Sequence, residues 1–249
     1  EYYHIPETWV ARINSNVDEL WTTCTYAKRG MISSGVREDK VFVIPHGVDQ
    51  SSCLRPDRIL QDGADHGKPF RILYHGGILL RKGIDLLLQA YSEAFRPTDD
   101  VFLLIHGVYG DDNVKRLVSQ HLKSHRRTSK AKVEWIKDIL TEDEITLLYE
   151  TSDLLVHPSR SEGFGLGIVE AMSFGLPVLV PAAEPMTDFV NNRNGYLIPA
   201  TEEVCNSPPC FNNGTVFQSG DWQIPDQLRW FQFDHVELAG KLREIFDDR

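Results

Sequence analysis

Cysteine is scarce and unpatterned in this sequence. The 249 residues hold four: Cys24, Cys53, Cys205 and Cys210. No two form a Cys-x-x-Cys pair and no histidine stands near them at zinc spacing, so no metal site is expected. Cys205 and Cys210 flank Asn206 to Pro209 and could bridge in an oxidising compartment, but free thiols are the default. Long apolar runs are also lacking, and no stretch reaches the roughly 20 residues that span a bilayer. There is no Lys/Arg-rich run with interleaved aromatics. With a formal net charge of -10, this argues against nucleic acid as a partner. No internal repeat or low-complexity tract is present. Asn213-Gly-Thr215 matches a glycosylation acceptor, which matters only in a secreted chain. The chain begins at Glu1, so the lack of a leader decides nothing, and a cytoplasmic location is the expectation.

What is present is organised around Ser161-Glu162-Gly163-Phe164-Gly165-Leu166-Gly167-Ile168-Val169-Glu170-Ala171-Met172. Three glycines fall within five residues, framed by two carboxylates with seven residues between them. Upstream, Asp153 to His157 is a short apolar run ending at Pro158, which reads as a buried strand. Downstream, Leu166 to Phe174 has apolar residues at helical spacing and stops at Gly175-Leu-Pro177. A strand, a glycine-rich loop and a helix start aim free amides and a positive dipole end at an anion, usually a phosphate. Glu170, inside the helix, can accept hydrogen bonds from two neighbouring hydroxyls, as on a ribose. Glu162 lies in the loop beside the anion. The spacing alone fits an ordinary loop and helix with a solvated glutamate equally well.

A second glycine loop runs through Tyr74-His-Gly-Gly-Ile-Leu-Leu-Arg-Lys-Gly83. Gly76 and Gly77 would let a ligand approach the backbone closely. Lys82, just before a helix start, could neutralise phosphate charge, or be a plain surface lysine. His75, His106 and His157 each end an expected strand. They read more readily as strand-end polar groups bonded to neighbours than as catalysts.

The rest of the chain frames these loops. Residues 6–13 suggest a short helix, Val17 to Thr25 a strand, Tyr26 to Ser34 a helix closed by Gly35, and Lys40 to Ile44 a strand before Pro45-His-Gly-Val-Asp49. Residues 51–69 are polar and read as a linker. Then strands and helices alternate. Strands are expected at Arg71 to His75, Val101 to His106, Lys132 to Ile136, residues 153–157, Pro177 to Pro181 and Gly195 to Ile198. Helices are expected at Ile84 to Phe95, at Asp112 to about Arg126 with Val114, Leu117, Val118 and Leu122 on one face, and from the capping box Thr141-Glu-Asp-Glu144 to about Glu150. This alternation implies an α/β fold, a Rossmann-like doubly wound parallel sheet. Ligands then sit outside the carboxyl ends of the strands, where the loops at 76–83, 106–111, 136–141 and 158–165 converge. Residues 199–227 show little periodicity and read as an irregular insertion. An amphipathic helix over 233–246 closes the chain.

Glu162-Gly-Phe-Gly, Glu170-Ala-Met and Gly175-Leu-Pro-Val178 together closely resemble the Glu-(seven residues)-Glu motif of retaining glycosyltransferases of family 4, which have the GT-B fold. Arg81-Lys82-Gly83-Ile-Asp85 resembles that family's Lys-Gly motif. The resemblance covers roughly residues 17–200. It implies that residues 1–50 end an N-terminal acceptor domain, that 51–69 link, and that 70–249 form the donor-binding domain, the C-terminal half of the GT-B fold. It implies a nucleoside diphosphate sugar as donor, no metal and no other cofactor. Lys82 and Glu162 would be catalytic. Gly76, Gly77, Ile136, Gly163, Phe164, Gly165, Leu166 and Glu170 would bind the donor. Ile136 to Asp138 would lie near the base.

Two departures stand out. The family usually carries an arginine about five residues before the lysine, where this sequence has Gly77; Arg81 or Arg71 are the candidates to replace it. Most of the acceptor domain is absent from this sequence, so the acceptor, carbohydrate, lipid or protein, is unknown. A missing domain or a partner chain would bind it. The competing class is a non-catalytic nucleotide-sugar-binding or regulatory subunit. A Rossmann dehydrogenase is disfavoured, because no Gly-x-Gly-x-x-Gly follows the first strand.

Overall fold

The structure, a computed structural model, describes residues 4–49, 68–125, 131–205 and 228–249. Its centre is a six-stranded, wholly parallel sheet. The strands are β3 (Phe70–His75), β4 (Val101–His106), β5 (Lys132–Ile136), β6 (Leu154–Val156), β7 (Val178–Pro181) and β8 (Tyr196–Ile198). Their spatial order is β5-β4-β3-β6-β7-β8. The chain builds outward from β3 through β4 to β5, then returns to lay β6 on the other side of β3. The crevice therefore opens between the carboxyl ends of β3 and β6, where the strand order reverses.

Strand side chains alternate between two apolar layers. Ile72 and Tyr74 of β3, with Leu103 and Ile105 of β4, face α3 (Ile84–Ala94), α4 (Asp112–His125) and α7 (His235–Asp247). Leu73 and Leu155 face α5 (Glu142–Thr151) and α6 (Leu166–Ser173), with Tyr26 of the N-terminal segment. Helices on both faces make the sheet doubly wound, as expected. Leu87 and Leu88 of α3 are fully buried, and each contributes about 2 kcal/mol from apolar burial. The capping box of α5 forms as read: Thr141 Oγ1 accepts from the Glu144 amide, and the Glu144 carboxylate accepts from the Thr141 amide. Among the described residues no helix is long and apolar enough to cross a membrane.

The N-terminal segment carries α1 (Glu7–Asn16), β1 (Leu20–Thr22), α2 (Thr25–Ser33) and β2 (Val41–Val43), with β1 and β2 paired in parallel. Trp21 and Phe42 are register partners and both are exposed, as is Ile44.

Two expectations are corrected. Residues 199–227 are not irregular throughout: β9 (Thr201–Cys205) pairs antiparallel with β10 (Leu228–Gln232). The intervening residues 206–227, with Cys210 and the glycosylation acceptor, lie outside the described residues, as do Cys53 and most of the expected linker. The run Thr-Glu-Glu-Val-Cys gives little local strand signal, because its ladder partner lies far along the chain. Leu117 does not share the buried face of α4 and is 38% exposed. It lies about 100° around the helix from the centre of the Val114, Val118 and Leu122 stripe.

Gly83 is the backbone pivot between the two central loops. It joins a 3-10 turn at Leu80–Lys82 to α3 with φ of 70°. A Cβ there would lie 1.8 Å from the Pro158 carbonyl oxygen. Gly83→Ala is expected to cost roughly 3 kcal/mol from left-handed strain plus the clash. Urea unfolding measures it, and a loss under about 1 kcal/mol would contradict the close approach.

Candidate functional site

Two pairs of loops close over the carboxyl ends of the strands. In the first, Ile78 N donates to Tyr109 O at 2.7 Å and Asp111 N to Ile78 O at 3.0 Å. A Cβ on Gly107 would lie 2.4 Å from Gly76 O, and one on Gly110 would lie 2.2 Å from Ile78 O. Only glycine allows backbones this close. In the second pair, Arg160 N donates to Arg81 O at 2.7 Å, Ser159 Oγ to Arg81 O at 3.2 Å, and Arg81 Nη1 to Ser161 O at 3.2 Å.

This second closure brings Lys82 and Glu162 together. Lys82 Nζ lies 2.5 Å from Glu162 Oε1, and His157 Nε2 lies 2.6 Å from the same oxygen. The Glu162 side chain is 6% exposed and that of Lys82 15%. A carboxylate only accepts, so His157 Nε2 carries the hydrogen. The other ring nitrogen, Nδ1, is buried without a hydrogen-bond partner among the described residues. Burial opposes the charge on Glu162, but His157 and Lys82 outweigh it and hold the carboxyl well below the usual carboxylate range. Glu162 is therefore ionised at neutral pH.

Glu170 is half-buried in the second turn of α6, where its Oε2 accepts from Tyr149 Oη at 3.1 Å. Burial first, then the charge of Glu170 and this bond, push the Tyr149 hydroxyl pKa well up. Tyr149 is stacked between His75 (5.7 Å) and Phe174 (5.5 Å). His75 is neutral: burial first, then His106 and His157, lower its pKa to about 4.

The glycine loop itself is anchored from the N-terminal segment. Gly163 O accepts from Thr23 Oγ1 at 2.8 Å and from Cys24 Sγ at 3.2 Å. Phe164 is buried, with His46 edge-on to it at 5.2 Å. Gly165 takes φ of 94° to start α6, and among the described residues no side chain caps that helix. Ile168 N donates to Gly165 O at 2.9 Å, which leaves the Leu166 and Gly167 amides for an external acceptor. Leu166 is 45% exposed at the crevice mouth.

Lys82, Glu162, Gly76, Gly77, Gly163, Phe164, Gly165, Leu166 and Glu170 all lie on the loops or helix start at this end of the sheet. Ile136 differs in part. Its carbonyl accepts from Gly107 N at 3.3 Å, at the right end of β5, but its side chain packs into the apolar layer. Of the two candidate substitutes for the arginine, Arg71 is excluded because it lies near the start of β3, at the opposite end from the crevice. Arg81 is beside the site but already reaches Ser161 O. A Cβ at Gly77 would come within 3.2 Å of Leu79 Cδ1, so a larger residue there would have to move Leu79. The sequence reading missed the partners of the key residues: His157 on Glu162, Tyr149 on Glu170, and Arg160 on Asp85. The only sequence signal for His157 was its place at a strand end.

Two pH effects follow. Glu162 has a depressed folded pKa, so its stabilisation is full above about pH 4.5, the unfolded value, and fades as pH falls toward the folded one. His75 is also depressed, so the unfolded chain binds more protons between about pH 6.5 and 4, and stability falls through that window on acidification. Urea unfolding at pH 7 and pH 4.5 should show a smaller loss in His75→Gln than in the parent chain. An equal loss would contradict a buried neutral His75.

A family model described as Glycosyl transferases group 1 matches residues 57–204, more than half of the chain. Among curated relatives, the chain is 28% identical over 170 residues to the GtfA subunit of a UDP-N-acetylglucosamine–peptide N-acetylglucosaminyltransferase from Streptococcus pneumoniae. That match covers 67% of this chain and 30% of the relative. It is 28% identical over 218 residues to the O-antigen biosynthesis glycosyltransferase WclY of Escherichia coli, covering 84% of this chain and 51% of the relative. The chain thus spans about a third to a half of the length of these relatives. Among solved structures, Anabaena HepE in complex with UDP and glucose superposes with a TM-score of 0.68 at 19% identity, over 97% of this chain and 57% of that one. Sucrose-phosphate synthase from Thermosynechococcus elongatus gives 0.64 at 21% identity, over 98% and 53%. These likenesses show the fold, the Rossmann-like half of a GT-B architecture. With the family match over the residues that build the crevice, they lead to one conclusion: the chain belongs to the glycosyl transferases group 1 family.

Proposed function

We propose that this chain is the donor-binding half of a retaining glycosyltransferase that uses a nucleoside diphosphate sugar. The observation that carries the reading is the buried Lys82–Glu162 pair beside the uncapped start of α6. A diphosphate entering here would meet a lysine and a row of amides, which offset the charge that gathers on it as the glycosidic bond breaks. Lys82 would turn from Glu162 to the diphosphate. Glu162, still held by His157, would then present its carboxylate to the sugar hydroxyls. Glu170, oriented by Tyr149, would accept from the ribose hydroxyls. Assignment to family 4, retention of configuration, hexosyl transfer and independence from metal rest on the motif resemblance. The HepE complexes are with UDP and glucose and with UDP-glucose, which supports the donor class.

The acceptor side lies elsewhere. The exposed Trp21, Phe42 and Ile44 on a two-stranded parallel sheet fit a face that further strands would cover. Acceptor recognition and the complete transfer reaction are therefore assigned to the chain together with a further domain or a partner chain. The relative named as a GtfA subunit is in keeping with either arrangement.

Calorimetry with UDP-, GDP- and ADP-sugars tests the reading. One donor class is expected to bind, and Glu170→Ala to weaken it by about 10- to 100-fold through loss of charged hydrogen bonds. Lys82→Ala should weaken the diphosphate alone as much as it weakens the sugar nucleotide. Binding that both variants leave unchanged would place the ligand elsewhere and overturn the reading.

A further inference from the structure

The strand geometry brings two loops side by side, but it does not set the spacing of Lys82 and Glu162 on them. One side chain bridges all the relevant segments. Arg160 stands two residues before Glu162, and Asp85 three residues after Lys82. The Arg160 guanidinium forks onto the Asp85 carboxylate, Nη1 to Oδ1 and Nη2 to Oδ2, both at 2.8 Å. Nη1 also donates to the Leu80 carbonyl. The Arg160 amide donates to Arg81 O at 2.7 Å. Lys82 is therefore bracketed by Leu80, Arg81 and Asp85, each bonded to the same residue of the other loop.

Arg160 is itself clamped from behind by the β9–β10 hairpin. Phe231 N donates to Arg160 O at 2.7 Å. Arg160 Nε donates to Gln232 Oε1 at 3.4 Å, and the Trp230 ring lies 5.1 Å from the guanidinium carbon. The hairpin is fixed in turn by Phe231 against Tyr26, at 5.6 Å between rings, and by Arg29 on Glu202 at 3.3 Å. The Arg160 side chain is only 6% exposed. It is thus not available as the cation that Gly77 leaves out.

We infer that Arg160 is a positioning residue for the donor site, held by Asp85 and by Trp230 and Gln232 of the β9–β10 hairpin, and that it sets the spacing of Lys82 and Glu162. The inference rests on the donor-site reading for its consequence but not for its geometry. A buried ion pair gives little net stability over a well-packed apolar pair of the same size, because desolvation offsets the attraction. What a forked Arg–carboxylate pair adds is direction and distance. That is what two loops need if Lys82 is to leave Glu162 for a diphosphate without the carboxylate drifting.

The test reads Lys82 directly. The folded chain is pulsed with acetic anhydride and acetylation of Lys82 is measured by mass spectrometry, with exposed Lys137 as internal reference. Arg160→Lys keeps the charge and loses the fork. Trp230→Leu and Gln232→Ala loosen the clamp without leaving a buried charge unpaired, and they decide the matter if Arg160→Lys does not fold. Lys82 labelling relative to Lys137 is expected to rise about tenfold in Arg160→Lys, as charged hydrogen bonds are lost, and about threefold in Trp230→Leu, as the ring's contact with the guanidinium is lost. In the full-length protein with donor, kcat should fall in the same variants while KM stays near the parent value. Lys82 labelling within about twofold of the parent in folded variants, less than the loss of one charged hydrogen bond would give, would overturn the inference. A rise in labelling in a chain that binds no nucleotide sugar would sustain the positioning role and refute the donor reading instead.

Discussion

A charged carboxylate in a dry crevice needs cations, and this site is arranged around that requirement. Glu162 is almost wholly buried, and in isolation burial would favour its neutral form. His157 comes from the end of β6 and Lys82 from the turn after β3, and both reach the same oxygen. The two strands are neighbours only because the strand order reverses there. The topology thus delivers a base-paired acid to the one place where an open parallel sheet accepts ligands. Remove Lys82 and the buried carboxylate keeps only its bond from His157, which leaves its charge costly. The self-neutralised pair also leaves the loop amides and the first turn of α6 as the remaining attraction for an incoming anion.

The same logic explains why close backbone contact recurs around the crevice. Gly83 lies against Pro158, Gly107 against Gly76, and Gly110 against Ile78. Each contact removes slack between loops on different strands. The N-terminal segment adds to this, since Thr23 and Cys24 both donate to Gly163 O, and Thr25 N and Oγ1 donate to Asp188 at 2.8 and 2.5 Å. A mobile glycine-rich loop would give a poor anion site, because ordering it would consume binding energy. Here much of that ordering is done by folding.

Much of the fold was legible because its signals are local. The strands and helices from Phe70 to Ile198 announce themselves by apolar period, by the Thr141–Glu144 box and by glycine stops. Spacing alone left Lys82, Glu162 and Glu170 open, and the motif resemblance singled them out; all three lie on the loops or the helix at the crevice end of the sheet. What escaped the sequence depends on contacts between distant residues. Arg160 and Asp85 are 75 positions apart, and neither spacing nor charge links them. The β9–β10 ladder joins segments separated by residues 206–227, and a strand containing Glu202 and Glu203 carries little propensity of its own. His157 was read as a strand-end polar group bonded to a neighbour. That form was right, but the neighbour is the carboxylate of the site. Arg71 was only a candidate to replace the arginine, and a strand runs its two ends apart by about 3.3 Å per residue. Leu117 failed because a residue on the flank of a helical stripe is buried only where something covers it.

The central claim is that the loops after β3 and β6 form one anion site whose two halves act together. Hydrogen exchange of the backbone amides, with and without saturating nucleoside diphosphate, tests it most directly. The account expects protection to rise together in residues 76–83 and 162–168, with little change in α1. Protection confined to one loop, or appearing only elsewhere in the chain, would contradict it.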